Sequence, residues 1–484
     1  MLFSSMIFLW IFLPAVLIIN SIIGFIPFGE DAQNKRIALK NGFLLIASLI
    51  FYAWGGIYYL FLMLAVILIN YTAGIMIDRA DRGRKALFVL AICANIGLLF
   101  YFKYYNLVIN TIESIKGMDK GGLGLKEVVL PIGISFYIFQ AMSYTIDLYR
   151  KKTPVQRSIC KFALYVALFP QLIAGPIVIY NDIREQIDRR TEAPEKFVSG
   201  IKRFCFGLAK KVIIANILAQ AVDSIWEVAA DDPGKFGAGV AWFGMMAYTF
   251  QIFYDFSGYS DMAIGLGRML GFDFKENFNS PYMSMSVREF WRRWHISLSS
   301  WFRDYVYIPL GGSRTDAKWK IYRNLMVVFL LTGIWHGANY TFFVWGLYYG
   351  VLIVIERMGF GRLLDKNRFK LINWLYTMVI VMVGWVFFRS DNIGQAVHYI
   401  GRLFAFTKGE YTVLNFMTMK TIIAFIAAIL CMGILDKPVG AVSERLKENR
   451  AAYAAEYCVQ MLLLIYCIIS IVSGSYNPFI YFQF

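Results

Sequence analysis

Apolar runs long enough to cross or enter a bilayer recur along the whole chain, and no other feature limits its fold so strongly. They lie near 6–28, 42–54, 58–77, 86–102, 128–148, 162–180, 204–228, 237–269, 325–356, 371–388, 420–435 and 454–473. Backbone N–H and C=O groups find no water in hydrocarbon, so each run must satisfy them internally, as a helix does. A full crossing takes about 20 residues. Several runs are shorter than that, and 325–356 is too long for one crossing. Half-helices and re-entrant hairpins are therefore expected, which protein tolerates where broken backbone lines an enclosed cavity. The fold class is an all-α polytopic membrane protein, with roughly eleven transmembrane helices plus re-entrant and interfacial helices.

Composition agrees. Hydrophobic residues make up 58% of the chain and charged residues only 17%, against about 25% charged in soluble domains. No stretch is polar enough to form a separate soluble domain, so residues 1–484 read as a single membrane domain. The net charge of +16 does not indicate nucleic acid, because the basic residues cluster in short loops between apolar runs, where anionic lipid favours them. Cys93, Cys160, Cys205, Cys431, Cys458 and Cys467 show no C-x-x-C pairing, so neither a metal site nor a disulfide framework is indicated. The run 6–28 lacks a basic leader and a small-residue cleavage site, and reads as a retained span.

Loop charge gives an orientation. No lysine or arginine precedes the first run, Lys35, Arg36 and Lys40 follow it, and the turn Ala53 to Tyr59 has none. Arg79, Arg82, Arg84 and Lys85 come next, and later Arg150, Lys151, Lys152 and Arg157. This alternation places the N-terminus outside and the basic loops in the cytoplasm of a cell-membrane protein.

Chemistry concentrates at few positions. In the segment SVREFWRRWHISLSSWFRDYVYIPLGGSR, Phe290, Trp294, Leu298, Trp301 and Tyr305 follow helical spacing, with Arg288, Arg292, Arg293 and Arg303 interleaved. A basic, tryptophan-rich amphipathic helix of this kind is expected in the interface plane. It reads either as a surface anchor or as a collar for an anionic, phosphate-bearing donor. Only three histidines occur, which excludes a histidine-rich metal centre. His398 lies in a polar stretch, whereas His295 sits among the tryptophans and arginines. His336 interrupts the run 325–356, bracketed by Gly333 and Gly337, which permit a helix break or close backbone approach. An ionisable group at membrane depth is costly and is a functional candidate by default. Its alternative is a core histidine bonded to a neighbouring helix. Asp147, Asp255, Ser257, Ser260 and Asp261 are further polar groups in apolar surroundings, suited to ion transport or to holding helices together. No G-x-S-x-G elbow, P-loop, H-E-x-x-H or G-x-G-x-x-G arrangement is present.

Longer blocks carry a resemblance. FSSMIFLWIFLPAVLI, LPIGISFYIFQAMSYTIDLYR, FPQLIAGPIV, YDFSGYSDMAIGLGRMLGFDFKENFNSPY, REFWRRWHISLSSWFRDYVYIPLGG, GIWHGANYTFFVWG and NPFIYFQF run from residue 3 to residue 484. Together they resemble the membrane-bound O-acyltransferases, in the alginate O-acetyltransferase branch. The resemblance implies helices surrounding a catalytic tunnel, with His336 as the essential histidine and His295 as the second. It implies substrate contacts at Arg292, Arg293, Trp335 and Asn339. No tightly bound cofactor is implied: acetyl-CoA or another acyl thioester would enter from the cytoplasm as co-substrate. A polysaccharide hydroxyl would be the acceptor, served by an extracytoplasmic acyltransferase or esterase-like partner. The outward segments, 103–127, the turn near Asp231 and 390–419, are too short for a domain that could present a polymer. Tyr340 departs from the family pattern, standing where tryptophan is expected after WHGAN. The D-alanyl transferases of teichoic acids share the RRWH and WHG blocks, but YIPLGG and the region 390–420 favour the alginate-like branch. An ion-coupled transporter using Asp255 and Asp261 is the competing class, and gives those blocks no role.

The orientation is open to direct test. Single cysteines in the loops 30–41 and 78–86 of a cysteine-free variant should resist an impermeant thiol reagent applied to intact cells. Efficient labelling of either loop would reverse the assignment.

Overall fold

The computed structural model describes residues 1–28, 32–173, 175–436, 449–474 and 476–477. Within them the chain is helical, with no β-strand, and falls into two compact units. One comprises 1–204 with 260–275; the other comprises 205–259 with 276–484. The terminal block NPFIYFQF lies outside the described residues from Pro478 onward.

The first unit contains α1 (Leu13–Phe25), α2 (Ala32–Ala53), α3 (Ile57–Arg79), α4 (Arg84–Ile115) and α5 (Ile134–Tyr149). Apolar side chains alone do not select among such helices in lipid, so polar side chains and small residues do. Asn70 of α3 and Asn95 of α4 exchange two hydrogen bonds, at 2.9 and 3.1 Å. The Thr145 hydroxyl of α5 donates to Asn70 Oδ1 at 2.8 Å, so one buried cluster ties three helices together.

The second unit holds most of the remaining elements. A long helix, α6 (Pro194–Asp231), enters it through a widened π turn at Lys210–Ala215. There follow α7 (Ala238–Met269), α8 (Val287–Arg293), α9 (Ile296–Phe302), α10 (Lys318–His336), α11 (Tyr340–Ile355) and α12 (Lys370–Arg389). After them come α13 (Ile393–Arg402), α14 (Met419–Ile429) and α15 (Arg450–Ser473). Its core is aromatic, with Tyr282, Phe290, Trp294, Trp345, Tyr349 and Trp385 all buried.

Among the described residues, eight helices are long and apolar enough to cross a membrane, fewer than the eleven or so expected. The shortfall has local causes. The run 128–148 becomes helical only from Ile134, giving 16 residues. The run 162–180 breaks at Leu168 into two short helices. The run 420–435 bends at Gly433, whose φ is +128°. Helix α7 is long but diluted by tyrosine, glycine, Asp255 and Asp261.

The run 325–356 folds as a helical hairpin, as its length required. A Cβ added at Gly333 would lie 2.3 Å from the Phe342 carbonyl oxygen and 3.0 Å from Gly346 Cα. One added at Gly346 would lie 2.5 Å from the Phe329 carbonyl oxygen, and one at Gly350 would lie 3.0 Å from Met326 Sδ. The partners run in opposite directions, so α10 and α11 are antiparallel and nearly in backbone contact.

The single interfacial helix expected over 286–305 is not found. The segment forms two short helices broken at Trp294 and His295, with His295 in the left-handed region at φ +45°. Phe290, Trp294, Leu298 and Trp301 are buried in protein. The helical stripe was real, but neighbouring aromatic rings cover it: Trp294 lies 4.9 Å from Trp385 and 5.1 Å from Phe278 between ring centroids.

The hairpin contact yields a stability prediction. Gly333→Val must separate α10 from α11, and overpacking of this kind costs roughly 1–3 kcal/mol. Thermal unfolding in detergent should show a lowered midpoint, while Gly401→Ala, on open helix surface in α13, should be neutral or stabilising. Equal midpoints for Gly333→Val and the parent would refute the close contact.

Candidate active site

Helix α8 is anchored at its start with unusual completeness. The Ser286 hydroxyl accepts from the Glu289 amide at 3.0 Å, and Glu289 Oε2 accepts from the Met285 amide at 2.8 Å, a reciprocal cap. The carboxylate of Glu356, just beyond α11, accepts from the Val287 and Arg288 amides at 2.8 and 2.9 Å. Four main-chain donors are thereby satisfied, and a carboxylate at a helix N-terminus also suits the helix dipole.

So held, α8 turns Arg288, Trp291 and Arg292 onto a cavity of about 220 Å³. Arg303, Phe302, Phe329 and Thr332 also line it. Arg303 is braced by Asp304 at 2.7 and 3.1 Å. Arg293 is placed differently: it pairs with Glu289 at 2.7 Å and is not among the lining residues.

Thr332 stands one turn before His336 on α10. His336 ends that helix, buried, with Trp345, Phe388 and Trp335 around it at ring-centroid distances of 5.0, 5.2 and 5.0 Å. Trp335 also faces His295 at 6.1 Å, so one indole neighbours both imidazoles. The break after His336 is stabilised by Asn339. Its side chain accepts from the Thr341 amide at 3.1 Å as helix cap and donates to the Asp391 carbonyl at 2.7 Å. Tyr340 beside it is half exposed.

His295 is fully buried, with Phe256 edge-on at 4.7 Å. Burial pushes its pKa down to about 3, so the ring is neutral at any ordinary pH. Asn277, eighteen residues earlier, contacts it at 3.2 Å. Neither Asn277 nor Glu356 stood out in the sequence: each acts through a contact across sequence separations that no local pattern records.

Two of the three carboxylates in apolar runs, Asp255 and Asp261, are engaged in ion pairs. Asp255 meets Lys211 of the π turn at 2.5 Å, with both side chains buried, and Asp261 meets Arg203 at 2.6 Å. His398 is exposed on α13.

The family model described as MBOAT, membrane-bound O-acyltransferase family, matches residues 99–390, a stretch that holds both histidines and the arginine-lined cavity. The chain belongs to this family and is an O-acyltransferase. It is 40% identical over 506 residues to a probable alginate O-acetylase AlgI of Pseudomonas putida, with both chains covered completely. A peptidoglycan O-acetyltransferase of Helicobacter pylori is 30% identical over 97% of this chain and 89% of its own. A teichoic acid D-alanyltransferase of Bacillus subtilis is 30% identical over 46% of this chain and 58% of its own. The alginate O-acetylase-like character thus extends along the full length, and the D-alanyl likeness does not.

Proposed function

We propose that the protein moves an acetyl group from a cytoplasmic thioester, acetyl-CoA or a similar donor, toward hydroxyls of an extracytoplasmic polysaccharide, alginate or one like it. His336 is the general base. The observation that carries this reading is the aromatic enclosure of His336 at the tip of the α10–α11 hairpin, one turn beyond the arginine-lined cavity. A neutral imidazole there takes the proton of the acceptor hydroxyl as its oxygen attacks the thioester carbonyl. The tetrahedral intermediate collapses with loss of the C–S bond, and the proton passes to the leaving thiolate. Positioned base catalysis of this kind contributes about 10²–10⁴-fold, and orientation in a narrow site supplies more. Arg288, Arg292 and Arg303 hold the phosphates of the donor at the cavity mouth, and Trp335 lies along the substrate path. Arg293 and Asn339 serve indirectly, through Glu289 and the hairpin tip. Transfer onto a long polymer requires an outward-facing acyltransferase or esterase-like partner.

Sealed proteoliposomes loaded with acetyl-CoA, with alginate or peptidoglycan outside, test the reading. Without added protein, neither polymer should be acetylated; efficient acetylation of either polymer would remove the need for a partner. His336→Ala should fold and insert normally yet lose about 10²–10⁴-fold in turnover. Retention of more than about a tenth would exclude an essential base. Arg288→Ala combined with Arg292→Ala should raise KM for acetyl-CoA roughly tenfold with little change in kcat, since charge-assisted phosphate contacts are lost. An unchanged KM would place the donor elsewhere.

A further inference from the structure

The turn between α8 and α9 constrains more than the position of His295. The Ser297 amide points at the Asn277 side chain at 3.2 Å. A main-chain N–H can only donate, so the Asn277 atom it meets is the oxygen, not the nitrogen. That same Oδ1 accepts from the Ser297 hydroxyl at 2.8 Å and lies 3.2 Å from His295 Nδ1. An acceptor oxygen facing Nδ1 requires a proton on Nδ1. The alternative tautomer would set two lone pairs against each other, with Ser297 Oγ, 3.5 Å from Nδ1, left to donate to both neighbours through one hydrogen. Nδ1 therefore carries the hydrogen and Nε2 the lone pair. Nε2 has no hydrogen-bond partner, although it is buried.

The backbone is fixed at the same point. The Ile296 amide donates to the Asn277 main-chain carbonyl at 2.9 Å, closing the turn in which His295 takes its left-handed conformation. A non-glycine residue in that region is strained and is retained only where its surroundings over-determine it. Asn277 is itself buried and supplies both the backbone and the side-chain restraint.

We propose that Asn277 is a positioning residue for acyl transfer: it locks His295 in the Nδ1–H tautomer, making Nε2 a hydrogen-bond acceptor for an O–H or N–H of the substrates. His295 accordingly does not donate to the thioester carbonyl oxygen. The activity arm of the test rests on the acyl-transfer reading above, whereas the tautomer itself does not. Among the described residues, the side chains against the imidazole include Phe256 from α7, Trp335 from α10, and Asn277 and Ser297, all uncharged.

The chain has only three histidines, so nitrogen-15 labelling of histidine gives a spectrum assignable with His336→Asn and His398→Asn variants. In the intact protein, His295 should show a pyrrole-type Nδ1 and a pyridine-type Nε2; a protonated Nε2 would overturn the proposal. Asn277→Leu should lose that tautomer preference and at least about tenfold in kcat, with KM less affected. Asn277→Asp keeps the acceptor, and should keep the tautomer and most of the activity lost in the leucine variant. Its carboxylate favours the imidazolium, so the nitrogen-15 titration of His295 should move upward by about one to three units relative to the parent. Should Asn277→Leu fail to fold, the wild-type spectrum and the aspartate variant still decide. Equal losses in both variants with an unmoved His295 titration would reduce Asn277 to a structural role. An inactive parent protein with the stated tautomer would instead overturn the acyl-transfer reading and leave this assignment standing.

Discussion

Broken helices inside a membrane protein are possible only where other groups take over the freed backbone donors and acceptors, and this requirement organises the second unit. Two breaks matter, one at Trp294–His295 and one at Gly337–Asn339. Each carries a histidine, and each is held by an asparagine that satisfies main-chain amides while reaching a second segment. Asn277 holds the first through Ile296 and Ser297. Asn339 holds the second through Thr341 and Asp391. If either break were healed, helical periodicity would carry the downstream side chains around the axis by about 100° per residue, and the rings would no longer converge on Trp335.

The walls around those rings set their chemistry. Indole and phenyl faces surround His336 and His295, and burial disfavours the charged form of the His295 imidazole. A neutral ring is the form able to accept a proton. The positive charge of the site lies instead at the cavity, on Arg288, Arg292 and Arg303, where solvent reaches it. The cationic side chains and the aromatic enclosure of the two histidines thus occupy separate places along α8, α9 and α10. The cost of desolvation falls on uncharged groups, while the guanidiniums retain the hydration or carboxylate partners they need.

Much of this was legible before any coordinates. Hydropathy marked the long spans, and the excess length of 325–356 marked the hairpin whose tip bears His336. The sequence groups Arg288, Arg292, Arg293 and Arg303 on one basic segment; three of them share a cavity, while Arg293 pairs with Glu289 instead. The amphipathic stripe at 290–305 was misread as membrane-facing because a stripe records only that one face is apolar, not whether lipid or protein covers it. Helix α7 reads as a span in the sequence, but its tyrosines, glycines, Asp255 and Asp261 leave it outside the eight candidates that length and apolar composition pick out among the described residues.

The sequence by itself determined the solvent, the helical class, the glycines that permit contact between α10 and α11, and the few ionisable residues available for chemistry. These follow from local properties: transfer energies summed along a run, and the residue types that can or cannot break it. Tertiary structure alone decided that Asn277 faces His295, that Glu356 caps α8, and that Trp335 neighbours both imidazoles. Such contacts join segments separated by as many as 69 residues. Their energies depend on distance and angle after folding, and those quantities have no signature in residue order.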